Sequence, residues 1–179
     1  MDLAAGPGIM ARPPRLATSR YKGRQCCFLT FCTYERQRLL VERETVDALR
    51  EQLLRSSQAN DVAVDAYVFM PDHVHLLATG LTEDADLTAF VSHFKRQAGW
   101  RFRRDVGRRL WQEGFHDRVL RDDSDRWPTV AYIVANPVRA GFVTAAEEYE
   151  FWGSLIHNRD EILKTLAMHG AYTAPGLHF

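Results

Sequence analysis

The chain of 179 residues has no long apolar run. A membrane span needs roughly 18 consecutive apolar residues, and the longest clean stretches here, such as 62–70 (VAVDAYVFM), are of strand length. Residues 1–14 carry no hydrophobic segment of the kind that directs secretion, so no signal peptide is expected. Cysteine is scarce. Cys26, Cys27 and Cys32 fall in one stretch with neither a C-x-x-C pair nor a distant partner. That speaks against a zinc knuckle or a disulfide framework and leaves them as packing residues of a reduced, cytoplasmic protein. The phosphate-cradling G-x-x-x-x-G-K-[ST] loop and the H-E-x-x-H zinc helix are both missing. So are internal repeats and low-complexity segments.

Net charge is missing too, with 23 basic and 23 acidic residues. Neutrality alone argues against a nucleic-acid partner, but the distribution argues for one. Residues 11–38 hold seven basic and one acidic residue, and residues 93–121 hold nine and three. Residues 42–86 reverse the sign with three basic and ten acidic. Such a chain can turn a basic face to a phosphate backbone while staying neutral overall.

What is present is the composition of one folded domain, 46% hydrophobic and 26% charged. Residues 26–34 (CCFLTFCTY) are rich in aromatic and β-branched types and read as a strand. Residues 42–58 place Val46, Leu49, Leu53 and Leu54 at helical spacing. Residues 62–70 and 73–79 (HVHLLAT) are two further strands joined by a Pro71–Asp72 turn. Residues 87–104 form a second helix with Phe90, Val91, Phe94, Ala98 and Phe102 on one side. A fourth strand falls within 110–120. A third helix starts near Pro128, with Ser124 and Asp125 as capping candidates and Gly141 as its stop. The order strand, helix, strand, strand, helix, strand, helix is the split βαβ order. The expected fold is α+β: a ferredoxin-like (RRM-like) antiparallel sheet with helices on one face and the other face free for function.

His73 and His75 are separated by one residue on a strand. Alternation points both imidazoles to one face, about 7 Å apart along the strand, where they can converge on a divalent ion. A chance H-x-H with one surface and one core histidine is the competing reading. Tyr132 and Asn136, four apart on a helix, share a face. A tyrosine hydroxyl is a candidate nucleophile and an amide oxygen a candidate metal ligand. Pro137 biases Asn136 away from helical dihedrals, so a kink or an end is expected there.

Four blocks in order, AYVFMPDHVHLL (66–77), FKR (94–96), LWQEGFHDRVLR (110–121) and YIVANPVRAGFV (132–143), resemble the REP-associated tyrosine transposases of the single-tyrosine HUH transposase superfamily. The resemblance covers roughly residues 20–155. It implies a flexible arm over 1–19, an HUH transposase-like catalytic domain over 20–155 and a C-terminal extension over 156–179. It implies Tyr132 as the nucleophile and His73, His75 and Asn136 as ligands of a divalent metal, Mg²⁺ or Mn²⁺. It further implies a bacterial, cytoplasmic, nucleoid-associated enzyme, acting as a monomer or homodimer, that cleaves and rejoins single-stranded DNA at REP-type hairpins through a 5′-phosphotyrosine intermediate. Asp72 stands where the family more often carries Asn, a departure expected to leave the chemistry untouched.

Lys95, Arg96, Arg101, Arg103, Arg104, Arg118 and Arg139 are the expected DNA contacts, with Arg108, Arg109 and Arg121 extending the basic patch and Arg12, Arg15, Arg20, Lys22 and Arg24 forming a basic N-terminal arm. Trp100, Trp111, Phe115 and Trp127 are candidates for base stacking or for the core. His116 is expected to be structural or to support the site from behind. The rival reading is a non-catalytic single-stranded DNA or RNA module, which would require exposed aromatics such as Tyr67, Phe69 or Phe28 on the central strands. A metal-dependent phosphodiesterase using water and a regulatory, domesticated transposase stand as further alternatives.

Overall fold

A computed structural model of the protein describes residues 21–168. The arm over 1–19, with Arg12 and Arg15, lies outside the described residues, as do Arg20 and the segment 171–179.

The chain runs β1 (Cys26–Cys32), α1 (Arg43–Ala59), β2 (Val62–Met70), β3 (His73–Gly80), α2 (Leu87–Val106), β4 (His116–Val119), α3 (Arg126–Arg139), β5 (Trp152–Gly153) and α4 (Arg159–Met168). The first seven elements follow the expected order. The strands form one sheet, β4-β1-β3-β2-β5, with every neighbouring pair antiparallel. The α+β, ferredoxin-like class is as expected, with β5 added beside β2.

The two central strands meet in a hairpin whose register sets Met70 opposite His73 and Val68 opposite His75. On one face Leu29, Phe31, Phe69, Val74 and Leu76 pack against Val46, Leu49 and Leu53 of α1 and Phe90, Phe94 and Phe102 of α2. The expectation of helices on one face holds for α1 and α2 and fails for α3 and α4. These two bury Val130, Ile133, Val134, Ile162 and Leu166 against Phe28, Ala66, Val68, Met70 and Leu77 on the opposite face. The reason lies in β2, which is buried along its whole length. A strand apolar on both faces needs cover on both. The cover is partial. α3 packs on β2 and β3, while Thr30 and Cys32 of β1 stay half-exposed and His116 and Arg118 of β4 are exposed.

The helix ends obey local chemistry. Asp86 caps α2 by accepting from the amides of Thr88 (2.8 Å) and Ala89 (3.0 Å). Neither Ser124 nor Asp125 caps α3 with its side chain. Instead Asp122 caps a short 3-10 turn, Asp123–Asp125, that leads into a helix starting at Arg126. Pro137 does not end α3, which continues to Arg139. Gly141, at φ 73, does end it, with Phe142 N donating to Pro137 O and Gly141 N to Val138 O. All three cysteines are free thiols, and burial pushes the Cys27 thiol up to about 12. Among the described residues no helix is long and apolar enough to cross a membrane.

Candidate active site

His73 and His75 emerge from β3 on the α3 side of the sheet, and their rings approach to 4.7 Å between centroids. Each is held at Nδ1. Thr30, the registered neighbour of His75 on β1, places Oγ1 2.8 Å from that imidazole's Nδ1. Asp72 places Oδ1 2.7 Å from Nδ1 of His73. An ionised carboxylate can only accept, so Nδ1 of His73 carries the proton and Nε2 keeps its lone pair. Arg36 donates to the other carboxylate oxygen at 3.3 Å.

Burial favours the neutral form of both imidazoles. Burial lowers the pKa of His73, opposed by its hydrogen bond to the Asp72 carboxylate. Burial also takes His75 down to about 3, helped by the nearby His73 and Arg36. A neutral imidazole is the form that ligates a metal.

Tyr132 comes to the same place from α3. Its ring centroid is 5.8 Å from that of His75 and 5.8 Å from that of Phe28. Phe28 stacks on His75 at 5.2 Å. The guanidinium of Arg139 lies 5.0 Å over the Tyr132 ring. Residues 132, 136 and 139 follow the i, i+4, i+7 spacing of one helix face. Asn136 stands between them with Nδ2 buried and without a hydrogen-bond partner.

No group of three His, Cys, Asp or Glu residues among those described could hold a metal. The donors that His73, His75 and Asn136 would offer a divalent ion are two imidazoles and an amide. The donors fit it. Both Nδ1 atoms are engaged, which leaves the Nε2 atoms for coordination. An orphaned buried amide is costly, by about 1–3 kcal/mol, and no hydrogen bond at Nδ2 of Asn136 holds it from turning its oxygen toward a cation.

The expected DNA contacts do not form one patch. α2 packs on the side of the sheet away from Tyr132, and Arg96 and Arg103 are exposed there. Arg101 pairs with Glu51 and Asp105. Arg104 pairs with Asp105 and lies over the exposed Trp100. The ammonium of Lys95 donates to the carbonyls of Gln112 and Gly114 and so pins the loop before β4. Arg118 and Arg139 are on the Tyr132 side. Trp111 is core. Tyr67 and Phe69 are buried in the cluster under α1 and α2, so they offer no stacking platform.

Thr30, Phe28 and Asp72 are site neighbours that sequence reasoning missed. Asp72 in particular, expected to leave the chemistry untouched, is the direct partner of His73. Its place next to the histidine pair was the available signal. Thr30 and Phe28 gave none, since their roles come from β1–β3 register.

The family model described as "Transposase IS200 like" matches residues 26–133. A REP-associated tyrosine transposase of Escherichia coli is 27% identical over 104 residues, 58% of this chain and 61% of that protein. The chain thus aligns with about three fifths of the length of that curated relative. A solved REP-associated tyrosine transposase bound to a REP hairpin superposes with a TM-score of 0.69 at 22% identity, covering 95% of this chain and 94% of the other, and shows the same fold. With the family match extending over more than half of its length and enclosing both histidines and the tyrosine, this chain belongs to the IS200-like transposase family.

Proposed function

We propose that the protein is a metal-dependent single-stranded DNA endonuclease and strand transferase that acts at REP-type hairpins through a 5′-phosphotyrosine intermediate. The observation that carries this reading is the 5.8 Å approach of the Tyr132 ring to His75, which brings a phenol from one element and an imidazole pair from another to one point. The hairpin as substrate is supported by the structural relative that binds one.

In this reading Tyr132 Oη gives up its proton and attacks the scissile phosphorus. The P–O3′ bond breaks, and the 3′-oxygen leaves and takes up a proton as a free hydroxyl. The new phosphodiester joins the 5′-phosphate to the tyrosine and conserves the energy of the old one. A 3′-hydroxyl from another strand reverses the step, so no nucleotide cofactor is required. Tyrosine ordinarily ionises near pH 10, so the developing phenolate needs nearby positive charge, and the Arg139 guanidinium over its ring supplies some. His73, His75 and Asn136 would hold Mg²⁺ or Mn²⁺. Bound there, the ion would supply Lewis-acid polarisation of the scissile phosphate. The enzyme acts as a monomer or homodimer. A cytoplasmic, nucleoid-associated setting follows from a chromosomal DNA substrate.

The test is covalent trapping on a single-stranded REP hairpin with Mn²⁺. The expected result is a denaturation-resistant protein–DNA band that disappears in Tyr132→Phe and is lost in His73→Ala, His75→Ala or excess chelator. Cleaved ends without attachment would instead indicate water as the nucleophile, and binding without cleavage a non-catalytic module.

A further inference from the structure

The sheet register points to a second feature of this face. Thr30 is the registered partner of His75 on one side and of His116 on the other. Directly opposed residues of antiparallel strands project to the same face. His75, Thr30 and His116 therefore form one row across the sheet, and His116 lies two strand spacings from the histidine pair, about 10 Å. Arg118, opposite Phe28 in the same register, follows on the same side.

Burial along β4 agrees with this. His116 and Arg118 are exposed, Asp117 and Val119 are half-buried, and Val119 packs against the core under α1 and α2. Charged side chains on an edge strand also discourage sheet-to-sheet pairing, which alone would not select this face. The surroundings do. α3 covers the β2–β3 part of the face and reaches Phe28 of β1 through Tyr132, while among the described residues Thr30 and Cys32 of β1 stay half-exposed and His116 and Arg118 of β4 exposed. A strand whose phosphate sits between Tyr132 and the imidazoles is blocked by α3 on one side. Its open route runs over β1 toward β4.

We propose that this open half-face is the bed for the single-stranded segment flanking the scissile phosphate, with His116 and Arg118 contacting its backbone. The proposal rests on the function proposed above for the substrate class. It makes His116 a substrate-contacting residue rather than a structural one.

The test compares two oligonucleotides on the full-length chain carrying Tyr132→Phe, so that cleavage does not intervene. One is a REP hairpin with its single-stranded flank, the other the hairpin alone. Adding His116→Ala or, separately, Arg118→Ala should weaken binding of the flanked oligonucleotide about tenfold, the scale of one charge-assisted contact. It should leave the bare hairpin unaffected. A photoreactive uracil in the flank, one to three nucleotides from the cleavage position, should cross-link to the peptide containing residues 116–119. Unchanged affinity for the flanked oligonucleotide in both variants, or cross-links confined to α2, would overturn the proposal. Binding and cross-linking are read without cleavage, whereas failure of wild-type protein to form a covalent adduct sinks the catalytic reading instead, so the two failures are distinguishable.

Discussion

Nδ1 of His73 donates to Oδ1 of Asp72 at 2.7 Å, and the two residues are adjacent in the chain. A carboxylate behind a ligating histidine fixes its tautomer and raises its basicity, and loss of such a partner typically weakens metal binding 10- to 100-fold. On the proposed chemistry, Asp72→Asn keeps an acceptor oxygen and removes only the charge. Its Mn²⁺ affinity, measured by titration calorimetry or electron paramagnetic resonance, should drop by about tenfold. Asp72→Ala should drop it further.

Arg139 bears on the rate more than on binding. With its guanidinium 5.0 Å over the Tyr132 ring, Arg139→Ala should slow covalent adduct formation about tenfold to a hundredfold, and Arg139→Lys should recover part of it. Single-turnover adduct yield on a hairpin substrate measures both. An unchanged rate in Arg139→Ala would remove this residue from the chemistry.

The depressed pKa of His75 predicts a pH dependence of stability. Its folded value of about 3 lies below the ordinary 6.5, so between these limits the unfolded chain binds a proton that the folded chain refuses. The stabilisation is complete above pH 6.5 and is lost progressively as the pH falls toward 3. At pH 4.5 the loss should reach about 2–3 kcal/mol. Thermal unfolding of metal-free protein between pH 7 and 4.5 should therefore show a shallower decline in His75→Gln than in wild type.

Asp65 is buried at the irregular point of β2, paired with Arg126 at the start of α3 and accepting a hydrogen bond from Thr79 at 2.7 Å. Removing the cation leaves a buried charge unpaired, which costs about 3–5 kcal/mol. Arg126→Ala should lower the denaturation midpoint accordingly, and adding Asp65→Asn should restore part of it. The pair also ties the N-terminus of α3 to the sheet, so Arg126→Ala should reduce adduct yield by displacing Tyr132.

Much of this was legible in the chain. The period-two spacing of His73 and His75 fixed their common side, and the four-residue spacing of Tyr132 and Asn136 did the same on a helix. The turn at Pro71–Asp72 set the hairpin register. The apolar character of β2 also held the information that both faces are covered, although element order alone suggested a one-sided sheet. The basic residues of α2 were harder to read. Spacing identifies a polar helix face without saying which side of the sheet the helix packs on, or that the ammonium of Lys95 is taken up by two loop carbonyls.

Local sequence by itself determined the elements, their order and the direction of each reactive side chain, because these depend on backbone periodicity and on chemistry a few residues away. Only the tertiary structure decided that α3 crosses to the face bearing the histidines, that Thr30 backs His75 and that His116 joins their row. Those relations depend on which surfaces bury each other and on strand register between segments up to about a hundred residues apart, and no local pattern encodes them.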